Sequence, residues 1–182
     1  MGKVIAIIGQ IASGKTTLAN FMSENGFEQI ATYTTRLRRE GEIDGKDYVF
    51  LSPEEFAEKA VNGYFAETTA YTTSFGYVSY GTSRKSLETP DGADKVIVLN
   101  PEGVQTLKDT GYDIFVVYLD MPQEITMRRA LRRGDSPVEI GRRIADDERL
   151  FRRLENRDYV NLRVMNPELL PNQIAELIRA NL

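Results

Sequence analysis

Two glycines, Gly9 and Gly14, enclose Gln10-Ile11-Ala12-Ser13 and are followed at once by Lys15 and Thr16. That spacing is the G-x-x-x-x-G-K-[ST] pattern of a loop that wraps a nucleotide phosphate. The two glycines permit backbone conformations that turn successive N–H groups inward around an anion. A helix opening near Lys15 aims its positive dipole end at the same anion. Lys15 can then reach the β and γ oxygens, and the Thr16 hydroxyl suits Mg²⁺. The loop is expected to bind ATP or GTP through Gly9, Ala12, Ser13, Gly14, Lys15, Thr16 and Thr17.

A second basic stretch runs from Thr32 to Tyr48. Guanidinium groups at Arg36 and Arg39, with a phenol at Tyr48, could converge on another phosphate group. The same residues, neutralised by Glu40 and Glu42, also fit an exposed basic loop. A third feature is compositional. Of the 23 basic residues 16 are Arg, and ten of these fall between Arg128 and Arg157. Arg suits bidentate recognition of phosphate, while a solvated helical face rich in ion pairs explains such a run as well.

Composition narrows the chemistry further. The 182 residues include no Cys and no His. Disulfides, thiolate nucleophiles, Ser-His-Asp triads and imidazole-bound zinc are therefore excluded. Catalysis must use carboxylates, Lys, Arg, hydroxyls, backbone amides or a hard cation. A net charge of −4 argues against nucleic-acid or membrane-surface partners, which need a basic field. The longest apolar runs, Val4–Ile8 and Ile114–Leu119, are too short for a membrane span or a signal-peptide core. The expectation is a cytoplasmic protein, monomeric or homodimeric, whose partners are small nucleotides.

Strand and helix signals alternate, which implies βαβ units and a parallel sheet. Val4–Ile8 reads as a central strand, followed by a helix from Lys15 that stops before Gly26. Phe27–Thr34 is a strand candidate, 35–47 a loop and Tyr48–Leu51 a short strand. Ser52-Pro53-Glu54-Glu55 carries the cap, the N1 proline and the N3 glutamate of a helix start. Tyr64–Tyr71 and Phe75–Tyr80 alternate with period two, as an antiparallel pair standing on the main sheet would, and Thr82 could cap a short helix. Lys95–Leu99 and Ile114–Leu119 are buried strands flanking a helix from Pro101. Helices over Gln123–Arg133 and from Ser136 to about Glu155, a strand over Tyr159–Met165 and a helix over Ile174–Ala180 complete the chain. Phe50, Phe56, Phe115 and Phe151 read as core; Tyr71, Phe75 and Tyr77 fit either a stack on a base or a hairpin face. No linker divides the sequence, so a single domain is expected.

The segment Thr34-Thr35-Arg36 through Arg39, Gly41-Glu42, Gly45 and Asp47-Tyr48 resembles the acceptor-binding segment of guanylate kinases. Tyr64-Phe65-Ala66-Glu67 and Tyr80-Gly81-Thr82 continue the pattern in order. The likeness then runs through Gly103, Arg129, Arg133-Gly134 and Arg143 to Asp158-Tyr159, covering Lys3 to about Asn166. It implies a P-loop NTPase-type three-layer α/β sandwich with a central parallel sheet, a small antiparallel acceptor-binding arm and a helical lid. The implied division is core 1–32, 83–125 and 158–182, arm 33–82, and lid with flanking helices 126–157.

The activity implied by the resemblance is transfer of the ATP γ-phosphoryl group to GMP or dGMP, with Mg²⁺ held at Thr16. Arg36, Arg39, Tyr48 and Tyr80 match the positions that hold the acceptor monophosphate. Glu67, Thr82 and Thr32 match those that read the guanine edge, with Asn100 beside them. Lys15, Arg36 and the lid residues Arg129, Arg133 and Arg143 match the catalytic cations. The chain departs from the family where Val98 and Asn100 stand at usually acidic positions, and where Thr68–Ser79 is about four residues longer than the usual hairpin. Those departures leave open another nucleoside monophosphate, or a phosphorylated sugar such as ribose 1,5-bisphosphate, as acceptor. A non-catalytic interaction module is a further alternative. Asp120, at a strand end, could orient a metal's water shell or cap the next helix.

Overall fold

The computed structural model describes residues 2–39, 41–73, 76–155 and 158–182; of 73 and 153–155 it describes the backbone alone. Glu40, Phe75 and Arg157, each weighed above, lie outside the described residues, as does the side chain of Arg153.

A central strand needs apolar residues on both faces, and Val4–Gly9 (β1) supplies them. Val4, Ala6 and Ile8 face one core, with Val104, Leu107 and Phe151. Ile5 and Ile7 face the other, where helix Lys15–Glu24 (α1) buries Leu18, Ala19 and Met22. Lys95–Val98 (β7) and Ile114–Leu119 (β8) flank β1, both parallel to it. Glu28–Gln29 (β2) and Leu162–Val164 (β9) complete a five-stranded parallel sheet in the order β2-β7-β1-β8-β9. The loop after β1 therefore emerges from the middle of the sheet's carboxyl edge, where such folds bind ligands.

A second sheet has the order β4-β3-β6-β5, built from Thr32–Thr34 (β3), Tyr48–Phe50 (β4), Phe65–Thr73 (β5) and Gly76–Ser83 (β6). Here the structure corrects three expectations. The expected strand Phe27–Thr34 is two strands in different sheets. Ile30 still bonds its N–H to Val96 of the main sheet, whereas Thr32 and Thr34 bury their hydroxyl faces in the second one. The antiparallel pair does not stand on the main sheet but pairs with β3 through Tyr33 and Gly81. An aromatic cluster of Tyr33, Phe65 and Phe56 gives this sheet a core of its own. Thr82 caps no helix: it ends inside β6 with its hydroxyl turned to Glu67, and the short 3₁₀ turn at Lys85–Leu87 is braced by Ser83. The last strand is also shorter than expected, confined to Leu162–Val164.

Helix Pro53–Val61 (α2) begins with the full reciprocal cap between Ser52 and Glu55. Its one buried side chain, Phe56, stacks on Phe65 at 4.6 Å. Helix Pro101–Asp109 (α3) is capped by Asn100, and helix Gln123–Arg133 (α4) stops at the left-handed Gly134. Helix Pro137–Glu155 (α5) returns across the carboxyl edge. Tyr118 of β8 stacks on Phe151 at 4.6 Å, and Ile140 meets Ile11 and Ala130 in a small separate cluster. Helix Pro171–Asn181 (α6) packs its buried Ile174, Ala175 and Ile178 beside α1. Among the described residues no helix is long and apolar enough to cross a membrane.

Because Phe56 is the sole buried residue of α2, Phe56→Ala should lower the unfolding free energy by about 3–5 kcal/mol. Urea denaturation followed by circular dichroism measures it.

Candidate active site

The turn after β1 closes on itself through the Ser13 N–H to the Gln10 carbonyl. Gly14 has φ 105°, a left-handed value open to glycine, and this starts α1 with no side chain in the way. Lys15 folds back and donates to the carbonyls of Gly9 at 2.7 Å and Gln10 at 2.8 Å. Its ammonium is largely stripped of water, which pulls its pKa from the usual 10.5 down to about 8. Asp147 of α5 opposes that shift, while Arg133 and Arg143 add to it.

Two cavities meet at this lysine. The larger, about 480 Å³, is lined by Ala12, Ser13, Gly14, Thr16 and Thr17 together with Arg129 and Arg133 and the 166–171 segment. Ser13 is buried there with its hydroxyl unpartnered. Arg129 donates to the carbonyls of Ser13 and Pro167, bridging the two walls, and Arg133 pairs with Asp135. The smaller cavity, about 250 Å³, runs from Gly9 and Ile11 to the second sheet, where Thr32, Tyr48, Glu67 and Tyr80 line it, with Asn100 beyond the end of β7 beside them. Lys15 lines both.

Strand geometry explains why β5 and β6 supply the wall of the smaller cavity. Partners across an antiparallel pair share a face, so Glu67 opposite Thr82 and Thr69 opposite Tyr80 point the same way. Glu67 is buried and accepts the Thr82 hydroxyl at 2.6 Å on Oε1, while its Oε2 has no partner. With no cation to offset burial, the carboxyl is pushed up to about 6, against a usual 4.5. Gly103 is required here for room, since a Cβ at that position would stand 3.0 Å from Glu67 Oε2. Asn100 is held at both ends. Its Oδ1 accepts the Gly103 N–H at 2.6 Å to cap α3, and its Nδ2 donates to Thr69 at 2.7 Å.

Not all the expected acceptor residues converge. Arg36 stands behind the cavity wall, 5.2 Å over the Tyr48 ring and gripped by both oxygens of Glu42. Its guanidinium is thereby fixed in place, and Glu42 is held below the usual carboxylate range by Arg36. The Arg39 side chain is exposed and lines neither cavity, though its N–H also bonds Glu42. Thr82 reaches the cavity only through Glu67. Asp120 caps nothing: it takes a long bond from Gln10 and an ion pair from Arg163. Tyr77 is exposed, whereas Tyr71 lines the smaller cavity.

Several site residues escaped the sequence reading. Asp147 accepts the Ile11 N–H at 2.9 Å, tying α5 to the phosphate loop, and sits within electrostatic reach of Lys15. Arg142 lines the smaller cavity beside Arg143. The available signal was the spacing Arg143–Asp147, four apart on one helix face.

The chain resembles known proteins along most of its length. The family model described as "Guanylate kinase" matches residues 1–164. A guanylate kinase of Lactococcus lactis is 32% identical, the alignment covering 98% of this chain and 88% of that protein. One from Bdellovibrio bacteriovorus is 29% identical, with 86% of each covered. Among solved structures, the guanylate kinase of Anaplasma phagocytophilum superposes with a TM-score of 0.71 at 24% identity, covering 98% of this chain and 86% of that one, a likeness of fold.

The unpaired charge on Glu67 makes a prediction. Glu67→Gln removes a buried, uncompensated anion at neutral pH and should raise the melting temperature. The folded state binds the extra proton between about 4.5 and 6, so the Gln variant's advantage should grow as pH rises through that window. Thermal melts of both proteins from pH 4.5 to 7.5 test this.

Proposed function

The chain belongs to the guanylate kinase family, and from that membership we propose the following account of its reaction and its residues. It is an ATP-dependent nucleoside monophosphate kinase that transfers the γ-phosphoryl group of ATP to guanosine monophosphate, giving ADP and the diphosphate. The observation that carries the residue assignment is the position of Lys15 at the junction of the two cavities. A phosphoryl group passing from a donor in the larger cavity to an acceptor in the smaller one must pass this ammonium.

The protein's part in phosphoryl transfer is positioning and offsetting charge. The attacking atom is a phosphate oxygen of the acceptor, already anionic at neutral pH, so no side-chain base is needed. Backbone N–H groups of the Ala12–Thr17 turn receive the donor phosphates, and Lys15 leaves the Gly9 and Gln10 carbonyls for the transferring group. Tyr48 and Tyr80 hold the acceptor phosphate, while Arg36, clamped by Glu42 behind the Tyr48 ring, supplies positive charge from behind the wall and Arg39 joins only if its exposed side chain turns inward. Glu67 Oε2 accepts an N–H of the base, Thr82 orients that carboxylate, and Thr32 lies alongside. Arg129, Arg133 and Arg143 surround the phosphates from the lid.

Magnesium fits the donor set. Thr16 is an exposed hydroxyl on the wall of the larger cavity, and no cluster of three or more acidic residues among those described could cage a metal. A phosphate-loop hydroxyl can hold Mg²⁺ together with substrate phosphate oxygens and retained waters. Bound there, it would supply neutralisation of the phosphate charge. The proposal includes the division into core 1–32, 83–125 and 158–182, arm 33–82 and lid 126–157, and a cytoplasmic site of action, supported by the need for ATP.

One observation favours a second reading of the acceptor. The Asn100 oxygen already accepts the α3 cap bond and an amide offers one acceptor atom where a carboxylate offers two, so base reading falls mainly on Glu67, and a different base or a phosphorylated sugar could be accommodated. A coupled ADP-release assay over ribo- and deoxynucleoside monophosphates and ribose 1,5-bisphosphate separates the readings. GMP or dGMP is expected to give the highest kcat/KM, and Lys15→Ala to lower kcat by at least 10³-fold. No turnover with any acceptor at high enzyme concentration would sink the proposal.

A further inference from the structure

The hairpin that continues β5 and β6 beyond Thr69 and Tyr80 has no part in the account above. Its strands keep their register outward, with Tyr71 opposite Val78 and Thr72 opposite Tyr77. Because side chains alternate, Tyr71 falls on the face of Glu67 and Thr69, toward the smaller cavity, while Thr72 and Tyr77 point away. Tyr71 is half-buried and lines that cavity with Tyr48 and Tyr80. The three rings form a row: Tyr48 meets Tyr80 at 6.2 Å between centroids, and Tyr80 meets Tyr71 at 6.1 Å, both edge to face.

The lid closes this row from above. Arg142 of α5 donates to the Thr72 carbonyl at 3.0 Å, while its other guanidinium nitrogens hold Glu139. Arg142 itself lines the smaller cavity, so the contact brings lid and hairpin together at the acceptor side. Glu139 also holds Arg143 at 2.9 Å, which links the clasp to a phosphate-facing arginine. Burial and the neighbouring Glu102 carboxylate raise the Tyr71 phenol above its usual pKa, so the group stays a neutral hydrogen-bond donor beside the anionic substrates.

We propose that Tyr71 is an acceptor-binding residue, contacting the nucleoside of the acceptor with its ring, and that Arg142 is a positioning residue that holds the hairpin over it when the lid is shut. This rests on the kinase reading above and deepens it by adding a wall to the acceptor site. An aromatic face supplies sequence-tolerant contact with a nucleoside, which loss of the ring would remove.

The experiment compares full steady-state kinetics of the wild type, Tyr71→Ala, Tyr71→Phe and Arg142→Ala with GMP and ATP varied separately. Tyr71→Ala should raise the acceptor KM about tenfold or more and leave the ATP KM within twofold. Tyr71→Phe should restore the acceptor KM to within about threefold of the wild type. Arg142→Ala should raise the acceptor KM in the same direction, also sparing the ATP KM. Calorimetric titration of GMP into Tyr71→Ala, together with its circular dichroism spectrum, separates lost contact from lost fold. An unchanged acceptor KM in Tyr71→Ala, or equal losses for both substrates in a folded protein, would overturn the inference while the kinase reading stands. Absence of turnover in the wild type would instead remove the reading beneath it.

Discussion

The rest of the site depends on an ammonium held by its own loop at the meeting point of two cavities. Lys15 is fixed by two backbone carbonyls of its own loop and by the field of Asp147, and it loses enough solvation to bring its pKa to about 8. Such a cation is unsatisfied in a useful way. In the proposed reaction an arriving phosphate would offer it a stronger partner than the Gly9 and Gln10 carbonyls, coupling binding to a reorientation of the ammonium. The left-handed Gly14, the start of α1 and the burial of β1 on both faces keep that lysine in place.

Charge balance around Lys15 follows a consistent division. Guanidinium groups are each tied to a local acid or carbonyl: Arg36 to Glu42, Arg133 to Asp135, Arg142 and Arg143 to Glu139, Arg129 to Ser13 and Pro167. The more exposed of these pairs add little stability. Their effect is to preset side chains that would otherwise lose rotamer freedom on binding phosphate. Glu67 is the opposite case, a buried anion with one oxygen unsatisfied. The site therefore presents cations along most of its length and one buried carboxylate at its end, as the proposed reaction between a nucleoside monophosphate and a triphosphate would require.

Much of this was legible in the sequence because the signals were local. The β1 run, the phosphate loop, the Ser52 cap and the Gly134 stop depend on neighbours within a few residues, and each appears where the residues indicate. The second sheet was harder to read. Its strands are short and come from separated segments, and whether 32–34 joins the main sheet or leaves it is decided by long-range pairing with Gly81 and the Phe56–Phe65 stack. The arginine cluster divides in a way only the fold reveals. Arg129, Arg133, Arg142 and Arg143 face the cavities, whereas Arg152 keeps the solvated reading with a long pair to Glu148. Asp147 was hidden because its partner is a backbone N–H at the other end of the chain. Arg39 shows the converse: a residue named by resemblance whose side chain lies outside both cavities.

The most direct test is an NMR titration of Lys15, selectively labelled at the side chain, with and without bound ATP. A midpoint near pH 8 is expected in the free protein, with a clear upward displacement when the triphosphate is bound. An ordinary lysine midpoint in the free protein, or one that ATP leaves unmoved, would contradict it.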